Sequence, residues 1–185
     1  MKLKTLGAPL LCVALALQAG CAVHTPVARA ADSRIEVGFS PDAGAEALVL
    51  KVIASAHHTI RLAGYLFTSR PVVRALIAAE RRGVDVRILI DDRGNRDAAS
   101  RAAIRLVVNA GIPTRVISAY AIHHDKYIIV DGHSTETGSF NYTHAAAHSN
   151  SENVLVVWND PTVAAQYLAH WESRWDQGIT VETAH

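Results

Sequence analysis

The spacing of apolar residues changes along the chain, and each change marks an element. Residues 35–39, IEVGF, alternate in the period-two manner of a short strand. Residues 40–56, SPDAGAEALVLKVIASA, switch to helical spacing, with Ser40 or Asp42 available as a cap and Pro41 near the first turn. TIRLAGYLF (59–67) returns to a strand. SRPVVRALIAAERRG (69–83) reads as a helix with a cap, an early proline and a closing glycine. VDVRILID (84–91) is a strand and DRGN (92–95) a turn. AASRAAIRLVVNAG (98–111) is another glycine-terminated helix, and IPTRVI (112–117) a short strand.

Strands and helices alternate through this half, which predicts parallel strands with helices on their faces. The second half differs. KYIIVD (126–131), STETGS (134–139) and NVLVVW (153–158) read as strands joined by turns and one loop, and a helix over 161–178 closes the chain. The expected fold is α/β, a mixed, largely parallel sheet sandwiched between helices. Its 185 residues suit one domain with a substantial core.

Residues 1–30 stand apart from this pattern. Lys2 and Lys4 precede the apolar run LGAPLLCVALALQAG, and ARA at 28–30 offers small residues for cleavage after Ala30. They are read as an export signal, leaving 31–185 as the folded domain in the periplasm or outside the cell. The competing reading is a lipoprotein acylated at Cys21, which Gln18 weakens because such sites want an aliphatic residue there. Both cysteines, Cys12 and Cys21, lie in the leader, so the mature chain has no thiol chemistry. Loss of Lys2, Lys4 and Arg29 leaves 15 basic against 17 acidic residues, a net charge of −2. A polyanion would have to be met by a local basic cluster, not by overall charge.

Candidate chemistry is concentrated in HHDKYIIVDGHSTETGSFN (123–141). Strand side chains alternate, so His124 and Lys126 should share a face, with Tyr127 and Ile129 on the other and His123 pointing away as a flank. Asp131, Gly138, Ser139 and Asn141 complete the pattern His-x-Lys-x4-Asp-x6-Gly-Ser-x-Asn. Each residue type suits a phosphodiester. Lysine supplies compact positive charge. The serine hydroxyl and asparagine amide supply oriented donors. Glycine admits close backbone approach. Histidine serves as nucleophile or acid–base group near neutral pH.

This pattern resembles the HKD signature of the phospholipase D superfamily. VGFSP, RGVDVRILIDDRGN, HDKYIIVD, TETGSFNYT, NSENVLVVWN and HWESRWDQG extend the resemblance over residues 35–178, toward that superfamily's small secreted bacterial endonucleases. The resemblance implies an α/β sandwich and a metal-independent phosphodiesterase without cofactors. It assigns His124 as the nucleophile that forms a phosphohistidine, and Lys126, Ser139 and Asn141 as phosphate-binding groups. It assigns Glu152 as the carboxylate that hydrogen-bonds the other ring nitrogen of the histidine. Asp131 is read as a structural member of the motif.

The chemistry needs a second histidine to protonate the leaving oxygen, yet the chain carries the motif once. The resemblance therefore implies a symmetric homodimer with a composite site. Arg93, Arg96, Arg101 and Arg105 follow the third strand and are candidates for flanking phosphates of DNA or RNA; the competing reading is a solvated helix face. His144 and His148 have metal-ligand spacing, but with no glutamate between them they are read as surface residues, like His57 and His58. No membrane partner is expected for the mature chain. A lipid phosphodiesterase with the same chemistry and a noncatalytic nucleic-acid-binding protein are the alternatives.

Overall fold

The computed structural model describes residues 33–182. Residues 1–30, read from the sequence as an export signal, lie outside them. Eight strands form one sheet: β1 (Arg34–Ser40), β2 (Thr59–Gly64), β3 (Asp85–Asp91), β4 (Thr114–Ile117), β5 (Tyr127–Val130), β6 (Ser134–Gly138), β7 (Glu152–Trp158) and β8 (Ile179–Thr180). Five helices accompany it: α1 (Ala45–Ala54), α2 (Arg70–Arg81), α3 (Ala98–Asn109), α4 (His144–His148) and α5 (Pro161–Trp175). The strand order is β1-β7-β6-β5-β2-β3-β4-β8.

The expected mixed α/β sandwich forms. Strands β1, β2, β3, β4 and β6 run one way, and β5, β7 and β8 the other. The sheet is mixed as expected but less parallel than expected: parallel pairing is confined to β2–β3 and β3–β4, and the other five pairings are antiparallel. Alternation in the first half predicts parallel strands, which β2, β3 and β4 form, but β1 pairs antiparallel with β7 at the far edge. Hydrophobic period identifies a strand without naming its neighbour. Here the antiparallel run β5-β6-β7 inserts between the first two strands.

Local chemistry explains most helix boundaries. Ser69 caps α2 by accepting from the Val72 N–H at 3.3 Å, with Pro71 in the first turn. Asp97 caps α3 through the Ala99 and Ser100 N–H groups, and Asp160 caps α5 through Thr162 and Val163. The first helix differs from expectation. It starts at Ala45 rather than near Ser40, and its cap is Gly44 at φ 93° with no side-chain cap. Residues 41–44 instead fold back onto β1, where the Phe39 N–H donates to the Ala43 carbonyl at 3.0 Å. Two short elements were not foreseen. The single turn α4 is capped by Thr143 through the Ala146 N–H, and β8 pairs with β4. Both are too short for periodicity to reveal.

The sheet has unequal faces. One is covered by α1, α2, α3 and α4 over a continuous core that includes Val49, Leu62, Phe67, Leu76, Ile88 and Phe140. Each such fully buried aliphatic contributes roughly 1.5–3 kcal/mol. The other is covered by α5 alone, over a smaller core of Ala63, Leu89, Ile117, Tyr127, Ile129, Ala164 and Trp171. Trp171 pins this helix to the sheet, with its indole N–H donating to the Leu62 carbonyl at 3.0 Å.

Candidate active site

Opposed strand directions bring the chemistry-bearing residues to one edge of the sheet. The C-terminal ends of β2, β3 and β6 meet the N-terminal ends of β5 and β7 there. His124 and Lys126 lie just before β5, Ser139 just after β6, and Glu152 opens β7. They flank or line a cavity of about 430 Å³ that includes His124, Lys126, Tyr127, Gly138 and His170. The simple alternation of faces does not hold here, because the segment before β5 has left the ladder. Tyr127 lines the same cavity as His124, and His123 is buried.

The segment carrying His124 is held from beneath by the turn after β3. Asp91 is buried, and its carboxylate accepts from the His123 N–H at 2.8 Å and the Gly94 N–H at 2.6 Å. Asn95, also buried, accepts from the Phe67 N–H and donates to the carbonyls of Tyr65 and Asp91. Tyr65 is thereby wedged against the nucleophile candidate: its ring centroid lies 4.9 Å from that of His124. On its other side is Gly94, where an added Cβ would fall 2.8 Å from Tyr65 Cε2.

His124 is exposed, whereas Lys126 is only 7% exposed. The Lys126 ammonium donates to the His124 carbonyl at 2.9 Å and sits 5.5 Å from the Tyr65 ring centroid. Burial pushes its pKa down, opposed by the carboxylates of Glu152 and Asp125. Ser139 Oγ donates to Glu152 Oε2 at 2.5 Å and accepts from the Asn153 N–H at 3.1 Å. Gly138 has no room for a side chain, since a Cβ would collide with the Asn153 carbonyl oxygen. Asn141 Oδ1 is buried with no hydrogen-bond partner among the described residues.

Other candidates sit elsewhere or differently. Glu152 does not reach His124 within the chain; Ser139 and Asn150 take its two oxygens. Asp131 lies at the opposite end of β5, at φ 51°, and accepts from the N–H groups of His57, His58 and Thr59. Burial would raise its pKa, but those three donors outweigh it and hold the carboxyl below its ordinary value. Arg93 donates to the Ala121 carbonyl at 3.4 Å. Arg96 pairs with Asp92, and Arg96, Arg101 and Arg105 line a separate cavity with Val116 and Val181. Arg96, Arg101 and Arg105 do not line the His124 cavity.

The fold also adds residues that the sequence did not single out. His170 of α5 lines the His124 cavity and is tied to Asp125 at 3.0 Å. Asp125 also lies 3.5 Å from His123. Burial holds the His123 imidazole below its ordinary pKa, although Asp125 and Asp91 oppose this. Tyr65, Asp91, Asn95 and His170 come from three other elements, so no local spacing links them to the motif. The available signals were DDRGN, a polar turn at the carboxyl end of a parallel strand, and HWESRWDQG, which begins at His170.

Known proteins agree with this architecture. A family model described as "Cardiolipin synthase, PLD-like domain" matches residues 49–175. A phospholipase D from Rickettsia conorii is 33% identical over 160 residues, covering 86% of this chain and 78% of that protein. The crystal structure of Nuc from Salmonella typhimurium, a phospholipase D family member, superposes with a TM-score of 0.81. It is 49% identical, over 82% of this chain and 99% of that one. NucT from Helicobacter pylori shares the fold at TM-score 0.73 and 21% identity, over 81% of this chain and all of that one. The single HKD signature on one sheet edge and these matches together place the chain in the phospholipase D superfamily, as a hydrolase of phosphodiester bonds.

Proposed function

We propose that the protein is a metal-independent endonuclease of low sequence preference, cleaving DNA in a site shared by two subunits. One observation carries this: a complete His–Lys–Ser–Asn set on one sheet edge, in a chain that holds the set once. A ring nitrogen of His124 attacks phosphorus, and the P–O bond to the leaving strand breaks as the P–N bond forms. The leaving oxygen takes a proton from His124 of the partner subunit. That imidazole then accepts a proton from water, which displaces the first histidine and restores the enzyme. Lys126, Ser139 and Asn141 hold the non-bridging oxygens and favour the extra charge of the five-coordinate transition state. Contacts directed at phosphate carry no base information, hence the low preference.

An apolar surface beside the site supports the shared arrangement. Ile35, Val37 and Phe39 project from β1 at 63%, 59% and 53% exposure. Val37 and Leu155 are paired, as are Ile35 and Val157, so the residues form one uncovered patch on the face that α5 leaves open. The patch runs up to Ser40 and Asn153, next to Glu152 and Ser139. A second copy seated there would cover it and bring its own His124 edge to the same seam. Cleavage of plasmid DNA in EDTA, absent in His124→Ala, tests the reading.

The second reading is a lipid phosphodiesterase, which the likeness to the Rickettsia conorii phospholipase D favours. Among the described residues no helix is long and apolar enough to cross a membrane. Choline release from phosphatidylcholine with an intact plasmid would establish the lipid activity instead. Export rests on residues 1–30; a mature N-terminus at Ala31 in a periplasmic extract would support it, and acylation at Cys21 would replace it with a lipid anchor.

A further inference from the structure

We propose that the groove between the start of α2 and α4 is a track for phosphates that flank the cleaved one on a nucleic-acid strand. The inference rests on the phosphodiesterase reading and narrows its substrate to a polymer. The groove measures about 340 Å³ and is lined by Arg70, Arg74, His144, His148, Ser69 and Glu46. Arg70 and Arg74 are exposed, and neither makes an ion pair among the described residues. Being four apart on α2, they share one helix face about 5–6 Å apart at Cβ, comparable to the repeat of phosphates along a strand. The one acid in the lining, Glu46, accepts from Ser69 Oγ at 3.2 Å. His148 pairs with Asp42 at 3.3 Å, and its ring lies 4.5 Å from that of His144.

Two connections join this groove to the active site. His144 follows Asn141 by three residues. The N–H groups of Thr68 and Ser69 both donate to the Tyr142 carbonyl at 2.8 Å, clamping the loop that carries Asn141 onto the start of α2. A strand whose phosphate is held by Asn141 thus leaves the site beside two unpaired guanidinium groups. Of the arginines after β3, Arg96 is engaged by Asp92, and Arg101 and Arg105 face a separate, partly apolar cavity. A lipid headgroup with a single phosphodiester has nothing to place here.

The test is equilibrium binding of a fluorescent 20-nucleotide single strand to full-length His124→Ala protein, with and without Arg70→Gln/Arg74→Gln, across a salt series. Loss of two phosphate contacts should weaken binding about tenfold at moderate salt and make the slope of log K against log salt shallower by about 1.4. The charge-matched control Arg81→Gln/Arg87→Gln, at the other end of the sheet, should keep the original slope. Unchanged affinity and slope in the Arg70/Arg74 variant would overturn the track. So would loss of binding to phosphatidylglycerol vesicles with DNA binding intact, since the groove would then serve a lipid surface. Failure of the wild-type protein to cut DNA would strike the nuclease reading instead, and the binding measurement would still decide the groove.

Discussion

The two faces of the sheet treat apolar residues in opposite ways. On the face covered by four helices, Leu62, Ile88 and Val156 are fully buried. On the other face a single helix shelters the strands from β6 to β4 and leaves Ile35, Val37 and Phe39 of β1 uncovered. The same period-two spacing thus does different work. On the first face it builds a core, and on the second it leaves a surface beside an active-site edge. Stability is invested in the covered face, whereas the cavity and the residues proposed to meet a partner lie at the margin of the open one.

The sharpest separation of chemistry from fold is His124→Ala. His124 is exposed and contributes little packing, so turnover should fall on the order of 1,000-fold or more, while circular dichroism and sedimentation stay as in wild type. The next test sets the faces against each other. Val37→Asp should shift sedimentation from dimer to monomer and lower activity about 100-fold at nanomolar protein, as expected where the reaction needs both imidazoles. The fold of the separated chain should persist by circular dichroism, because Val37 is exposed in the single chain. Ile88→Asp, on the covered face, should unfold the protein by burying an unpaired charge. Activity in a Val37→Asp monomer would remove the shared site.

A smaller effect probes the wedge beside the proposed nucleophile, His124. Gly94→Ala should push the Tyr65 ring toward His124 and lower kcat about tenfold, as displaced catalytic groups do. Tyr65→Phe keeps the ring and should stay within about twofold on the same principle. Equal losses in both variants would mean that the hydroxyl, not the ring position, matters.

A separate test lies within the covered face itself. Glu136 is fully buried there, accepts from the Tyr142 hydroxyl at 3.1 Å and leaves Oε1 without a partner. Burial pushes its pKa up to about 8, against the opposing effect of the Tyr142 hydrogen bond. Its folded value is raised above the unfolded one, so the stability is fully present below about 4.5 and is lost as pH rises through about 8. Glu136→Gln cannot ionise, and its melting temperature should lose this decline with pH. Parallel curves for the two proteins between pH 5 and 8 would show that Glu136 is not neutral in the fold.

The motif residues were legible because they are local. His124, Lys126, Ser139 and Asn141 fall within one strand-turn-strand segment, where side-chain alternation and glycine spacing act over short range. Glu152 was legible only as a position. Its partner within the chain proved to be Ser139, a matter of where β7 begins beside β6. The four arginines after β3 show the limit from the other side. Their charge and helical spacing were visible, but the apolar wall of Val116 and Val181 opposite them was not.

Sequence alone determined the longer elements and the HKD motif, because both depend on neighbours a few residues apart. It determined the sandwich class through the alternation of strand and helix. Tertiary structure decided the order of strands, since identical periodicity permits many pairings and only packing selects one. It placed β1 against β7, which created the open patch. It brought Tyr65, Asp91, Asn95 and His170 beneath or beside His124 from elements distant in the chain. It also gave Arg70 and Arg74 a groove next to the Asn141 loop, through a backbone clamp that no spacing of residues encodes.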